Sequence, residues 1–257
     1  MRKSILIIVS SCLIVFPLTF FIGCRRILGE RPIHNAAHKG DLKKVKKIIE
    51  KNPTQINMQG FMDKTPLYYA SVKGHTEIVK YLLAHGADIE LGNCLGERPL
   101  EQAAKFGHYS TVKTLLEHGA EVNCKDEFGL TPLHEAVLWD DKDLVNILLS
   151  YGANVNARDK YENTPLHEAA KKNNYNAAKA LVEHGADVFA KNYYDYSRPS
   201  EKRGFVPPRN LMNKTPKEIA LKLDFKQLVR YLQTIEEEKK KEREEEVNEK
   251  EKEQEVK

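Results

Sequence analysis

Six prolines, Pro32, Pro66, Pro99, Pro132, Pro165 and Pro216, follow one another at intervals of 34, 33, 33, 33 and 51 residues. Spacing this regular describes one small unit used repeatedly along the chain, with a single insertion in the last interval. Four of the prolines follow Thr65, Thr131, Thr164 and Thr215. A Thr hydroxyl can accept from the orphan N–H groups of a helix start, and Pro at the first helical position gives up a donor the helix cannot use. Further along each unit stand Gly40, Gly74, Gly107, Asp140, Asn173 and Asp224, residue types that tolerate the left-handed conformation ending a helix. The first helix is therefore only about two turns long. A second helix carries apolar residues at helical spacing, as in Val79, Leu82 and Leu83, or Val112, Leu115 and Leu116, or Val145, Leu148 and Leu149. It stops at Gly86, Gly119, Gly152 and Gly185.

The fullest copies read Thr131-Pro132-Leu133-His134-Glu135-Ala136 and Thr164-Pro165-Leu166-His167-Glu168-Ala169-Ala170, closing on Tyr151-Gly152-Ala153-Asn154 and His184-Gly185-Ala186-Asp187. The pattern resembles the ankyrin repeat. The resemblance implies an all-α solenoid of about six helix-turn-helix repeats joined by short hairpin fingers, over residues 31–235. Leu133 and Ala136 then point inward, and the pairs Ala36-Ala37, Ala103-Ala104 and Ala169-Ala170 let helices approach closely. Such units bury their apolar faces only by stacking, and the terminal ones depart from the pattern as caps. Arg31 replaces Thr in the first, Asn52-Pro53 stands where later units have Gly-Ala, and Lys217-Glu218 puts charge where the last would bury Leu and His.

Nothing in the sequence reads as catalytic. A Gly-rich phosphate loop, His-Glu-x-x-His and Gly-x-Ser-x-Gly are all missing, and Cys94 and Cys124 have no Cys or His at zinc-ligand spacing. His34, His134 and His167 recur at the repeat's own His position, where the resemblance implies that the imidazole ties helix starts together. No cofactor or metal is expected, and no basic ladder interleaved with aromatics points to nucleic acid. The net charge of +4 conceals an asymmetry, because residues 236–257 hold seven basic residues and eleven glutamates and the remainder carries +8. A basic body favours anionic partners or lipid headgroups. The Glu/Lys tail, 236–257, reads as an extension of the last helix into solvent, its pairs Glu236/Lys240 and Glu246/Lys250 opposed by Glu242/Glu246.

At the other end, Met1-Arg2-Lys3 and the apolar run from Ile5 to Gly23 read as an export signal over 1–23. The run closes on Phe21-Ile22-Gly23-Cys24, which resembles the lipobox of bacterial lipoproteins and implies lipid on Cys24, with 24–30 as a tether. The expected location is a bacterial membrane, on its periplasmic or cell-surface face. An uncleaved single-pass anchor holding the repeats in the cytoplasm, and a cleaved secretory signal, stand beside this reading, because Arg25, Arg26 and Arg31 balance Arg2 and Lys3.

The positions that vary between repeats carry the functional expectation. The resemblance places the ligand surface at the finger tips and the exposed end of the first helix. The fingers contribute Phe61, Met62, Leu95, Phe128, Leu130 and Tyr161. The helix ends contribute Phe106, Leu138 and the lone Trp139, and the following turn adds Tyr151. Apolar strips of this kind mark interaction sites, and aromatic anchors dominate interface energetics. The long interval inserts 18 residues into the last finger, within 193–212, bringing Tyr193, Tyr194, Tyr196 and Arg198 to the same face. The expectation is a non-catalytic, membrane-tethered scaffold that binds an unidentified protein on its concave finger surface; an enzyme inhibitor acting through the 193–212 loop is the alternative.

Overall fold

A computed structural model describes residues 31–193 and 213–255. Cys24, the apolar run, Tyr194, Tyr196 and Arg198 lie outside them. The described residues contain twelve α-helices in six pairs and no strand, the all-α ankyrin solenoid class. The chain divides into two compact units, the first ending at Glu127 and the second beginning at Phe128.

The first unit holds α1 (Pro32–Lys39) with α2 (Leu42–Lys51), α3 (Pro66–Val72) with α4 (Thr76–Ala84), and α5 (Pro99–Lys105) with α6 (Tyr109–Glu117). The second holds α7 (Pro132–Ala136), prolonged by a 3-10 turn over Val137–Trp139, with α8 (Lys142–Ser150), α9 (Pro165–Lys172) with α10 (Tyr175–Glu183), and α11 (Pro216–Lys222) with α12 (Lys226–Glu255). Each core is built from the periodic positions: Ala36, Leu67, Val79, Leu82, Leu100 and Leu115 in the first unit, Leu133, Ala136, Val145, Leu148, Leu166 and Leu181 in the second, all at most 2% exposed. The six helix stops, Gly40 to Asp224, are left-handed without exception.

The repeat histidines are buried and act across repeats. Nε2 of His134 donates to the carbonyl of Asn163 (3.1 Å) and Nε2 of His167 to that of Lys214 (3.0 Å). A carbonyl can only accept, so Nε2 carries the proton and Nδ1 is left to accept from the Thr131 and Thr164 backbone N–H groups. Both Thr hydroxyls also lie 2.9 Å from these Nδ1 atoms, whereas Thr65 caps in the ordinary way, accepting from the N–H of Tyr68. Burial pulls the His167 imidazole down to about 4 and keeps it neutral.

Two repeats of the first unit solve the same task with other residues. Tyr68 occupies the histidine position of its repeat and donates its hydroxyl proton to Oε2 of Glu97 (3.1 Å). Glu101 occupies it in the next, its Oε2 accepting from the N–H of Arg98 (2.6 Å) as a histidine Nδ1 would. Its other oxygen is buried with no hydrogen-bonding partner among the described residues, and burial lifts the carboxyl to about 8, so the group is a neutral acid at pH 7. Arg98, standing where four of the other repeats have Thr, links Glu90 (2.6 Å) to Glu121 (2.5 Å).

Lys217 is not the solvated cap residue that the sequence implies. Its ammonium pairs with Glu236, only 5% exposed, on α12. That helix passes through the compositional change at residue 236 without a break. Lys239 donates to the carbonyl of Ala186 (3.2 Å) and the Arg243 guanidinium lies 4.8 Å from the Phe189 ring centroid, so the tail's first turns dock on the second unit.

Leu133→Ala should cost about 2–5 kcal/mol through the cavity it leaves. Lys217→Ala should cost on the order of 2 kcal/mol by stranding buried Glu236, with most of it recovered in the double variant with Glu236→Gln. Denaturant unfolding measures both. A second expectation concerns pH. His167 has a folded pKa below its unfolded value near 6.5, so its contribution is complete above pH ~6.5 and is lost as pH falls through about 4, a span worth roughly 3 kcal/mol. Glu101 titrates in the opposite sense, its raised pKa favouring the fold at low pH and being lost as pH rises through about 8. The histidine's share is therefore the difference between wild type and His167→Gln, which should shrink as pH drops from 7 to 4.

Candidate functional site

The fingers are turns stitched by their own polar side chains. Oδ1 of Asn93 accepts from the N–H groups of Leu95 (2.9 Å) and Glu97 (3.1 Å), and Oδ1 of Asp159 accepts from those of Tyr161 (2.7 Å) and Asn163 (2.8 Å). Asn192 does the same for Lys214 (2.9 Å), although 22 positions separate the two. The 18 extra residues thus enter at a finger tip whose base is closed as in the other repeats. The sequence carries this signal, since Asn93, Asp126, Asp159 and Asn192 are 33 apart, but it is less conspicuous than the prolines.

Successive fingers are joined by a recurring backbone hydrogen bond. In the first unit Cys94 N–H donates to Met62 (3.1 Å) and Glu127 N–H to Leu95 (2.9 Å); in the second Lys160 N–H donates to Phe128 (2.9 Å) and Tyr193 N–H to Tyr161 (3.0 Å). The sequence-selected residues Met62, Leu95, Phe128 and Tyr161 are therefore one structural position, and their half-buried side chains are held in register by the backbone. Leu130 is also half-buried. Phe61, Phe106, Leu138, Tyr151 and Tyr193 are exposed, and Trp139 most informatively so at 52%. Tyr109, at the start of α6, is exposed as well and was not singled out by the sequence.

Phe106 and Trp139 stand at the same repeat position, one in each unit, and the backbone beneath each is fixed. In the first unit His108 stacks on Phe106, with ring centroids 6.4 Å apart and planes at 22°, while its Nε2 donates to the carbonyl of Val72 (3.1 Å). A Cβ on Gly74 would sit 2.6 Å from that imidazole, so only glycine admits the ring. In the second unit the clamp is built differently. Asn174 donates from Nδ2 to the carbonyl of Val137 (2.7 Å), and the carboxylate of left-handed Asp140 accepts from the Ala177 N–H (2.9 Å) and Nδ2 of Asn176 (3.1 Å). The 3-10 turn bearing Leu138 and Trp139 is thus bolted to the next repeat on both sides, while the indole faces outward.

Electrostatics around the first unit's fingers are those of a brace. Glu97 is half-buried; burial pushes its carboxyl upward, but Lys105 and hydrogen bonds from Asn93 and Tyr68 outweigh this and hold it below the usual range. Burial drives the Tyr68 hydroxyl and the Cys124 thiol well above their ordinary values, so neither is a ready nucleophile. Cys94 and Cys124 are not joined in a disulfide. Among the described residues no group of His, Cys, Asp and Glu is arranged to hold a metal, and no helix is long and apolar enough to cross a membrane.

Comparison with known proteins agrees with this architecture. A family model described as ankyrin repeats in three copies matches residues 33–126 and 100–192, more than half of the chain. Human ankyrin repeat domain-containing protein 7 is 40% identical over 53 residues, 21% of each chain. The probable E3 ubiquitin-protein ligase XBOS32 of Oryza sativa subsp. japonica is 41% identical over 69 residues, 26% of this chain and 14% of its own. The serine/threonine-protein kinase VIK of Arabidopsis thaliana is 40% identical over 53 residues, 21% of this chain and 12% of its own. The chain thus spans about a fifth or less of the length of these relatives, and what is shared is the repeat. Ankyrin repeats are in general non-catalytic protein-binding modules, and this chain belongs to the ankyrin-repeat family.

Proposed function

We propose that this chain is a membrane-tethered binding module that presents a preorganised surface to a protein partner and performs no catalysis of its own. One observation carries the reading. Where repeats three and four place Phe106 and Trp139, other repeats have Lys39, Lys73 and Lys172, so the fold does not need an aromatic there. Both rings nevertheless stand exposed on clamped turns. A fixed, exposed aromatic loses little entropy when a partner covers it, which makes it an efficient anchor. Tyr193, 59% exposed at the start of the long insertion, supplies a further contact, and Tyr194, Tyr196 and Arg198 follow it in the sequence.

The tether follows from the N-terminal sequence. A lipid on Cys24, after removal of residues 1–23, holds the repeats at a bacterial membrane on its periplasmic or cell-surface face. The partner is a protein, and the surface offered to it is that of the fingers and first-helix ends.

Two measurements test this. Trp139 fluorescence should be that of a wetted indole, red-shifted and quenched by acrylamide, and Trp139→Ala or Phe106→Ala should lower partner capture by at least about tenfold, or 1.4 kcal/mol, with Tm nearly unchanged. A blue-shifted, shielded indole and a marked fall in Tm would refute the anchor role. Cys24→Ser should abolish incorporation of a fatty-acid analogue and block removal of the leader; intact processing and retention in that variant would overturn the lipoprotein reading.

A further inference from the structure

The second helix of the first repeat is charged unlike its counterparts. α2 reads Leu-Lys-Lys-Val-Lys-Lys-Ile-Ile-Glu-Lys, five lysines against one glutamate, whereas the corresponding α4, α6, α8 and α10 each carry a single lysine. Val45 and Ile49 fix the orientation by burying one side, and Lys43, Lys44, Lys47 and Lys51 are exposed on the other. At 100° per residue these four fall within about a quarter of the helix circumference. Lys46 is drawn aside, its ammonium 5.4 Å from the Tyr81 ring centroid.

Local stability does not account for this face. Lys43 and Lys44 sit in the first turn, where the helix dipole favours negative charge, and no acidic residue is present there. Lys43/Lys47 and Lys47/Lys51 are like-charge pairs four residues apart, which weaken a helix. Only Lys51, in the last turn, is well placed for the dipole. Three of the other second helices relieve their lysines: Lys80 pairs with Glu77, Lys113 with Glu117 and Lys142 with Glu183. None of Lys43, Lys44, Lys47 and Lys51 forms an ion pair among the described residues.

We propose that the lysine face of α2 lies against the anionic surface of a phospholipid bilayer, so that the first repeat is a second membrane contact beside the N-terminal anchor. The proposal rests on the tethered reading above. From Gly23, where the apolar run ends, to Arg31, where the first repeat begins, is eight residues, at most ~28 Å when fully extended. Attraction to an anionic surface decays within about 8–10 Å at ordinary salt, so it acts only on a body already held close. The tether supplies that proximity, and each lysine near the surface then adds roughly fivefold to binding. Neutralising phosphates also relieve the lysines' mutual repulsion, which no ion pair among the described residues does. A protein partner of comparable acidity would need to be brought to this face, whereas the bilayer is there wherever the anchor is.

The test uses the full chain reconstituted into vesicles of phosphatidylcholine alone or of phosphatidylcholine with phosphatidylglycerol. Sedimentation with the neutral vesicles at high salt reads the anchor by itself. Amine-reactive labelling of Lys43, Lys44, Lys47 and Lys51, relative to Lys113, reads the face. Labelling should be at least about tenfold slower on anionic than on neutral vesicles, with the difference lost at high salt. Equal labelling on both, with the chain retained on both, overturns the proposal and leaves the anchor standing. If the chain leaves neutral vesicles, the anchor reading fails. The face is then judged by low-salt binding to anionic vesicles, which must persist in wild type and vanish when Lys43→Gln, Lys44→Gln, Lys47→Gln and Lys51→Gln are combined; absence of binding overturns it. The combined variant should keep or slightly raise Tm. Protection by soluble polyglutamate as strong as by anionic vesicles would assign the face to an acidic polypeptide and overturn the lipid proposal.

Discussion

Within each unit the structure depends on one hydrogen bond made over and over, from the residue three places into a first helix to the finger of the following repeat. Every other regularity is arranged around it. The imidazole of His134 or His167 must be neutral to donate from Nε2 and accept at Nδ1 together, and burial among the helix starts keeps His167 so. Because the acceptor belongs to the next repeat, the bond cannot form in an isolated unit. It converts a local helix start into a statement about the neighbour's position, and it does so even across the long interval, where His167 meets Lys214.

The substitutions at this position show what is essential in it. Tyr68 reaches farther and meets a carboxylate side chain instead of a carbonyl; Glu101 keeps the acceptor half of the role and, holding its proton, stays uncharged. Neutrality is common to the three side chains, whereas only the histidines and Tyr68 reach the following finger. A charged group in the same place would have to be desolvated without a counter-ion.

Much of this was legible beforehand, and the reason is locality. The left-handed stops at Asp140, Asn173 and Asp224 can be read from residue type because the constraint acts on a single residue's backbone. The buried faces can be read because helical spacing is a property of one helix. The finger positions Met62, Leu95, Phe128 and Tyr161 can be read from repeat register, and each accepts the same backbone hydrogen bond, two in each unit. What the sequence concealed depends on partners in other elements. Asp140 was read as a helix stop, yet its carboxylate also holds Ala177 and Asn176. Lys217 stands in the sequence as a charged cap residue, yet it meets Glu236 from a segment whose composition marks it as an extension into solvent. The exposure of Trp139 above a clamped turn follows from side chains more than thirty residues away, and no window of local sequence contains them.

The bridge between Asn192 and Lys214 has a consequence for how such a chain can change. The insertion leaves and re-enters the fold through the hydrogen bonds that close a five-residue finger elsewhere. Closing a loop several times longer costs only about 1 kcal/mol more in chain entropy. The stacking of α9 on α11 is therefore insulated from whatever the loop contains. Sequence there can drift, lengthen or be exchanged without renegotiating the core, and a protein facing a variable counterpart has a place to evolve that its own stability does not police.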